Sequence, residues 1–225
     1  MKEGLSKEDL FSPGLDGIPV CRSKVGFIDG IQGILEYRGV RIEELAARST
    51  FEETTFLLIK GKFPTVDEYN RFDWDLRRHR RLKFKLIDII KSIPEDAHSM
   101  GALQTAVAGL GTFHPMNDMS DPAENYHAAL RLIAKFPTIV ATYHRVRNGK
   151  EPILPVDELN HSANFLLMLT GKEPTKEEAK LFDICLVLHA EHGLNASTFS
   201  TRVTGSTLAD PYSAIAAAKI GRAHV

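Results

Sequence analysis

The stretch TFEETTFLLIKGKFPTVDE, residues 50–68, holds two helix starts and one helix stop. Thr50 with Glu53, and Thr65 with Glu68, have the spacing of a capping box, in which hydroxyl and carboxylate each satisfy a backbone donor left free at a helix start. Between them an apolar run ends at Gly61, with Pro64 close behind: glycine takes the left-handed turn past the last helical residue, and proline cannot resume the helix. The same pattern recurs outward along the chain. Thr175 and Glu178 make a third box, and Gly171 with Pro174 stop the run NFLLMLT. Asp121-Pro122, with Glu124, and Asp210-Pro211 place a capping carboxylate before a proline at the first helical position, where its missing N–H costs nothing. Only residues 24–40, KVGFIDG and ILEYRGV around a glycine-containing turn, carry the β-branched and aromatic mixture of strands. The expected fold is therefore all-α and multi-helical, with a short N-terminal β-hairpin. Pro137 lies inside AENYHAALRLIAKFPTIVATYHRVRNG and predicts a kinked helix or two helices meeting there.

Composition narrows the function classes. In 225 residues, 28 basic side chains balance 29 acidic ones, so no global charge draws the chain to nucleic acid or to an anionic membrane. Cys21 and Cys185 stand far apart without ligand-like spacing, which suits a reducing compartment. No run is long and apolar enough for a signal peptide or a membrane span, and the chain reads as cytoplasmic. No linker or repeat divides it.

Three motifs carry chemistry worth weighing. LRRHRRLKFK, residues 76–85, gathers Arg77, Arg78, Arg80 and Arg81, but these end the helix begun at Thr65, where cations suit the negative pole of the helix. GLGTF at 109–113 lacks the strand and the third glycine of a dinucleotide site; Ala106, Ala108, Gly109 and Gly111 instead let another helix approach closely. LHAEHGLNAST, residues 188–198, is the strongest candidate. His189 and His192 are one residue short of the spacing that puts two imidazoles of a zinc site on one helical face, so a metal-binding bundle remains a minor reading and no metal is expected. His189 ends an apolar run and reads as a structural histidine bonded to a backbone carbonyl. His192 precedes a break at Gly193 and Leu194, after which Asn195, Ser197 and Thr198 open a new helix. An imidazole beside a helix N-terminus suits a small anionic ligand such as a carboxylate.

LHAEHGLNASTF resembles the citrate synthase family, and so, in the same order, do GLDGIPV at 14–20, GILEYRGVRIEELA at 33–46, FEETTFLLIKGKFPT at 51–65, NFLLMLTGKEP at 164–174 and LADPYSAIAAA at 208–218. The resemblance implies the multi-helical large domain of that fold. It also implies an acyltransferase that condenses acetyl-CoA with oxaloacetate to give citrate and CoA, with acetyl-CoA as co-substrate and neither metal nor further cofactor. His192 would then bind oxaloacetate, with Asn195 and Ser197 beside it. His98, in HSM where the family has His-Pro-Met, is a weaker match; Glu191 stands where aspartate is usual and Gly193 where glutamate is common. Residues 100–112 and 123–147 would belong to a homodimer interface. Alternatives are a 2-methylcitrate synthase using propionyl-CoA and a non-catalytic helical dimerisation module.

By the same resemblance residues 1–13 form an extension and 14–218 the N-terminal part of the large domain, with the small domain absent. KIGRAHV, 219–225, reads as a non-native tail, since a common sequencing-adapter read encodes it. The family's Gly-Pro-Leu-His-Gly histidine, its Gly-x-Gly-His histidine and its proton-abstracting aspartate match nothing here. The 225 residues are therefore expected to bind part of the substrate set without turnover, and to expose apolar faces.

Overall fold

The computed structural model describes residue 12 and residues 17–116, 118–191 and 193–218. Among the described residues three short strands lead: β1 (Gly26–Asp29), β2 (Ile34–Tyr37) and β3 (Val40–Arg41). They pair antiparallel in the order β1-β2-β3, with Gly26 opposite Tyr37 and Tyr37 opposite Val40. The expected hairpin is thus extended by a third strand. Arg38 and Gly39, with φ of 52° and 82°, make the two-residue turn whose twist matches the flanking strands, and two residues of β3 are too few to show an alternation in sequence.

Ten helices follow among the described residues: α1 (Ile42–Arg48), α2 (Phe51–Lys60), α3 (Val66–His79), α4 (Phe84–Lys91), α5 (Ser99–Thr112), α6 (Pro122–Arg147), α7 (His161–Thr170), α8 (Lys176–Leu188), α9 (Ala196–Gly205) and α10 (Pro211–Ala217). All three capping boxes form, with both reciprocal bonds, at the starts of α2, α3 and α8. Gly61 and Gly171 take the left-handed conformation that ends α2 and α7. Asp121 and Asp210 cap α6 and α10 ahead of their prolines. One helix of 26 residues, α6, runs through Pro137.

The arginine run departs from expectation. Helix α3 stops at His79, so only Arg77 and Arg78 occupy its last turn, and Phe84 already opens α4. Arg80 is 1% exposed, and its guanidinium donates to the carbonyls of Val156 (3.1 Å) and Leu159 (2.7 Å). Arg77 binds Asp73 at 2.8 Å and the same 157–159 segment. Carbonyls distant in sequence hold Arg80, and Arg77 is shared between such carbonyls and Asp73 of its own helix.

Among the described residues, three apolar clusters order the helices. Leu86, Ile90, Ala106, Leu110, Leu132 and Tyr212 join α4, α5, α6 and α10. Gly111 makes the α5–α10 approach possible, since a Cβ there would lie 3.1 Å from that of Tyr212. Tyr37, Ile42, Leu45, Leu57 and Val187 join the sheet to α1, α2 and α8. Phe56, Phe72, Leu76, Leu130 and Ala134 join α2, α3 and α6. Each fully buried Leu, Ile or Phe contributes on the order of 1.5–3 kcal/mol. The second cluster positions the candidate site, because it presses the strands against the end of α8.

Candidate functional site

Helix α8 ends at Leu188, and His189 is its C-cap. The His189 ring Nδ1 lies 2.7 Å from the Cys185 carbonyl, which can only accept, so Nδ1 carries the proton. This is the structural role expected from the sequence. Tyr37 holds the next step of the turn. It is fully buried on β2, and its hydroxyl donates to Leu188 O and accepts from the Glu191 N–H, both at 3.1 Å. Burial pushes the Tyr37 phenol above its ordinary value, the Glu191 N–H bond opposes that shift and the Glu191 carboxylate adds to it. The hydroxyl therefore keeps its proton for Leu188.

Glu191 in turn braces the residues after it. Its Oε1 accepts from the Gly193 N–H at 2.7 Å, while Oε2 is buried without a hydrogen-bond partner. The carboxylate fits only because Gly26 has no side chain: a Cβ there would lie 2.0 Å from Oε2. Gly193 has a φ of 89°, where a side chain is strained, and a Cβ would also press on Ile28 at 3.3 Å. Glutamate at 193 would meet both obstacles. His192, between these two anchored residues, lies outside the described residues.

Asn195 caps α9, its Oδ1 accepting from the Thr198 N–H at 2.7 Å. Ser197, half-buried, stands in the first turn of the same helix. The N–H groups of Ala196 and Ser197 have no acceptor within the helix, leaving backbone donors beside Asn195. Asn195 and Ser197 are thus brought together. His98 is not on this turn: it is the exposed N-cap of α5, its Nδ1 accepting from the Met100 N–H at 3.2 Å. Helices α5 and α9 both pack on α10. Among the described residues no three His, Cys, Asp or Glu side chains come close enough to share a metal, and His192 is not among them.

Tyr37 and Gly26 escaped the sequence reading of the site. Both lie in the recognisable strand region, but their partners are more than 150 residues away.

The architecture is a multi-helical α protein with one small antiparallel sheet clamping a helix-to-helix turn. Residues 14–222 match the family described as citrate synthase, C-terminal domain, a span that takes in Lys219–Arg222 of the KIGRAHV stretch. A citrate synthase from Synechocystis sp. is 51% identical over 214 residues, covering 95% of this chain and 54% of its own. The citrate/2-methylcitrate synthase of Bacillus subtilis is 34% identical over 214 residues, covering 95% and 58%. The crystal structure of citrate synthase from Pyrobaculum aerophilum superposes with a TM-score of 0.85 at 38% identity, covering 92% of this chain and 53% of that one. The chain belongs to the citrate synthase family. It spans about half the length of the curated relatives it matches.

Proposed function

We propose that this chain carries the oxaloacetate corner of an acyltransferase that joins the acetyl methyl carbon of acetyl-CoA to the keto carbon of oxaloacetate, with hydrolysis of the thioester giving citrate and CoA. His192 supplies an imidazole to the dicarboxylate, and Asn195 and Ser197 supply the helix start beside it; His98 is a secondary contact. Acetyl-CoA is a co-substrate, and no metal or further cofactor is invoked. The complete enzyme is read as a homodimer through α5 and α6, with residues 14–218 as part of its large helical domain. Family membership across a stretch that includes the 188–198 turn is the observation that carries this reading.

The test is calorimetric titration of the 225-residue chain with oxaloacetate, repeated with His192→Ala. Heat of binding in the first and none in the second supports the site; no binding in either overturns it and favours the dimerisation-module reading. Assay of CoA release should find no turnover by the 225 residues alone, because the remaining catalytic groups are read as lying outside them. The Bacillus subtilis relative's name supports a second reading, a propionyl-CoA donor, which the same assay in the complete enzyme decides.

A further inference from the structure

Residues 189–195 connect α8 to α9. No side chain of α9 is buried, so the helix does little to fix its own start. Its middle is tied to α10, where the Ser200 hydroxyl donates to the Ala217 carbonyl at 3.0 Å. Its start follows from Gly193 instead. Gly193 has a φ of 89°, and glycine has the widest choice of backbone conformations of any residue. Whatever holds Gly193 therefore sets the direction in which α9 begins.

That hold comes from one cross-strand pair. Gly26 on β1 stands directly opposite Tyr37 on β2, and both meet Glu191. The Tyr37 hydroxyl accepts from the Glu191 N–H and fixes the backbone just ahead of the turn. The bare Cα of Gly26 makes room for the Glu191 carboxylate, whose Oε1 then takes the Gly193 N–H at 2.7 Å. A side chain bonded to the backbone two residues on is a device that Asp forms readily, with one methylene less. Without that bond residue 193 regains its freedom. A ligand at the start of α9 is then bound only by the fraction of molecules that keep the turn as it stands here, and the apparent affinity falls by that fraction.

We propose that Gly26, Tyr37 and Glu191 are positioning residues for oxaloacetate, holding Gly193 in the one setting that presents Asn195 and the N–H groups at the start of α9 to the dicarboxylate. The inference rests on the proposed activity. None of the three acts on the reacting atoms; each works through the turn.

The test is calorimetric titration of the 225-residue chain with oxaloacetate, at a temperature where urea unfolding shows every variant to be folded. Tyr37→Phe, Gly26→Ala and Glu191→Ala should each raise Kd at least fivefold. The decisive variant is Gly26→Ala combined with Glu191→Asp. The shorter carboxylate keeps its reach to the Gly193 N–H and clears the new Cβ, so Kd should return to within twofold of the parent. Thr65→Ala removes the acceptor for the Glu68 N–H at the start of α3, away from the turn, and should lower stability with no change in Kd. A parent and single variants of equal Kd overturn the positioning and leave the activity reading standing. A double variant as weak as Gly26→Ala also overturns it, because Gly26 then does not act through the carboxylate. So does a Thr65→Ala chain that loses affinity to the same degree, since binding then merely follows stability. No heat from the parent overturns the activity reading and the positioning together.

Discussion

Tyr37 spans the two ends of the chain with one oxygen, and its removal is the sharpest probe of the turn. Tyr37→Phe keeps the ring in its cluster but leaves Leu188 O and the Glu191 N–H without their partner. Stranding partly buried backbone groups costs about 1–3 kcal/mol, to be read as a lower urea midpoint with an unchanged slope. Gly26→Ala attacks the same brace from the other side. Its Cβ takes the place of the Glu191 carboxylate, which must swing out and give up Gly193. We expect a loss of about 1–2 kcal/mol, the worth of one displaced charge-assisted bond. In a Glu191→Ala background the Gly26→Ala penalty should nearly vanish, because the clash is gone. Additive penalties in that double-mutant cycle would show that Gly26 acts through something other than Glu191.

At the scale of elements, the helices that announce themselves do so through residues three apart. Thr50→Ala removes the acceptor for the Glu53 N–H and should cost about 1 kcal/mol, while Thr50→Ser should cost almost nothing; thermal melts of the two variants separate capping from side-chain size. That locality is why the capping boxes, the proline-led helices and the glycine stops were all legible in the sequence. Strand β3 was not, because two residues carry no period. Arg80 was misread for a related reason: its charge pattern matched a helix end, whereas its acceptors, Val156 and Leu159, adjoin it only in the folded chain. For the candidate site, Asn195 and Ser197 were legible as a helix start. The sheet that holds the preceding turn was legible only as a sheet, since nothing in ILEYRGV names Leu188 or Glu191 as partners of Tyr37.

Across the whole molecule, the buried titratable groups set how stability follows pH. His161 is 4% exposed, and burial, helped by the Arg80 charge, pushes its imidazole down to about 3. His114 is pushed down to about 4 by burial and then by Arg131, Lys135, Lys83 and His79. In the unfolded chain both titrate near pH 6.5, so below that pH the unfolded state binds protons that the folded state refuses, and stability falls as pH falls. Glu52 works against them: burial raises its carboxyl, so as pH drops toward the ordinary carboxylate range the folded state gains a proton first and is favoured. The histidines act from higher pH, so the net expectation is a decline that begins near pH 6.5 and eases where Glu52 protonates. His161→Phe keeps an aromatic ring against Phe51 and removes one of these protons. Whatever it does to absolute stability, it should flatten the decline between pH 6 and 5 by an amount approaching 1.4 kcal/mol per pH unit, about one proton's worth. Urea unfolding free energies of parent and variant at several pH values give the two slopes. Parallel lines would mean that His161 takes up its proton in the folded protein as readily as in the unfolded chain, and that its burial beside Arg80 contributes nothing to the acid sensitivity.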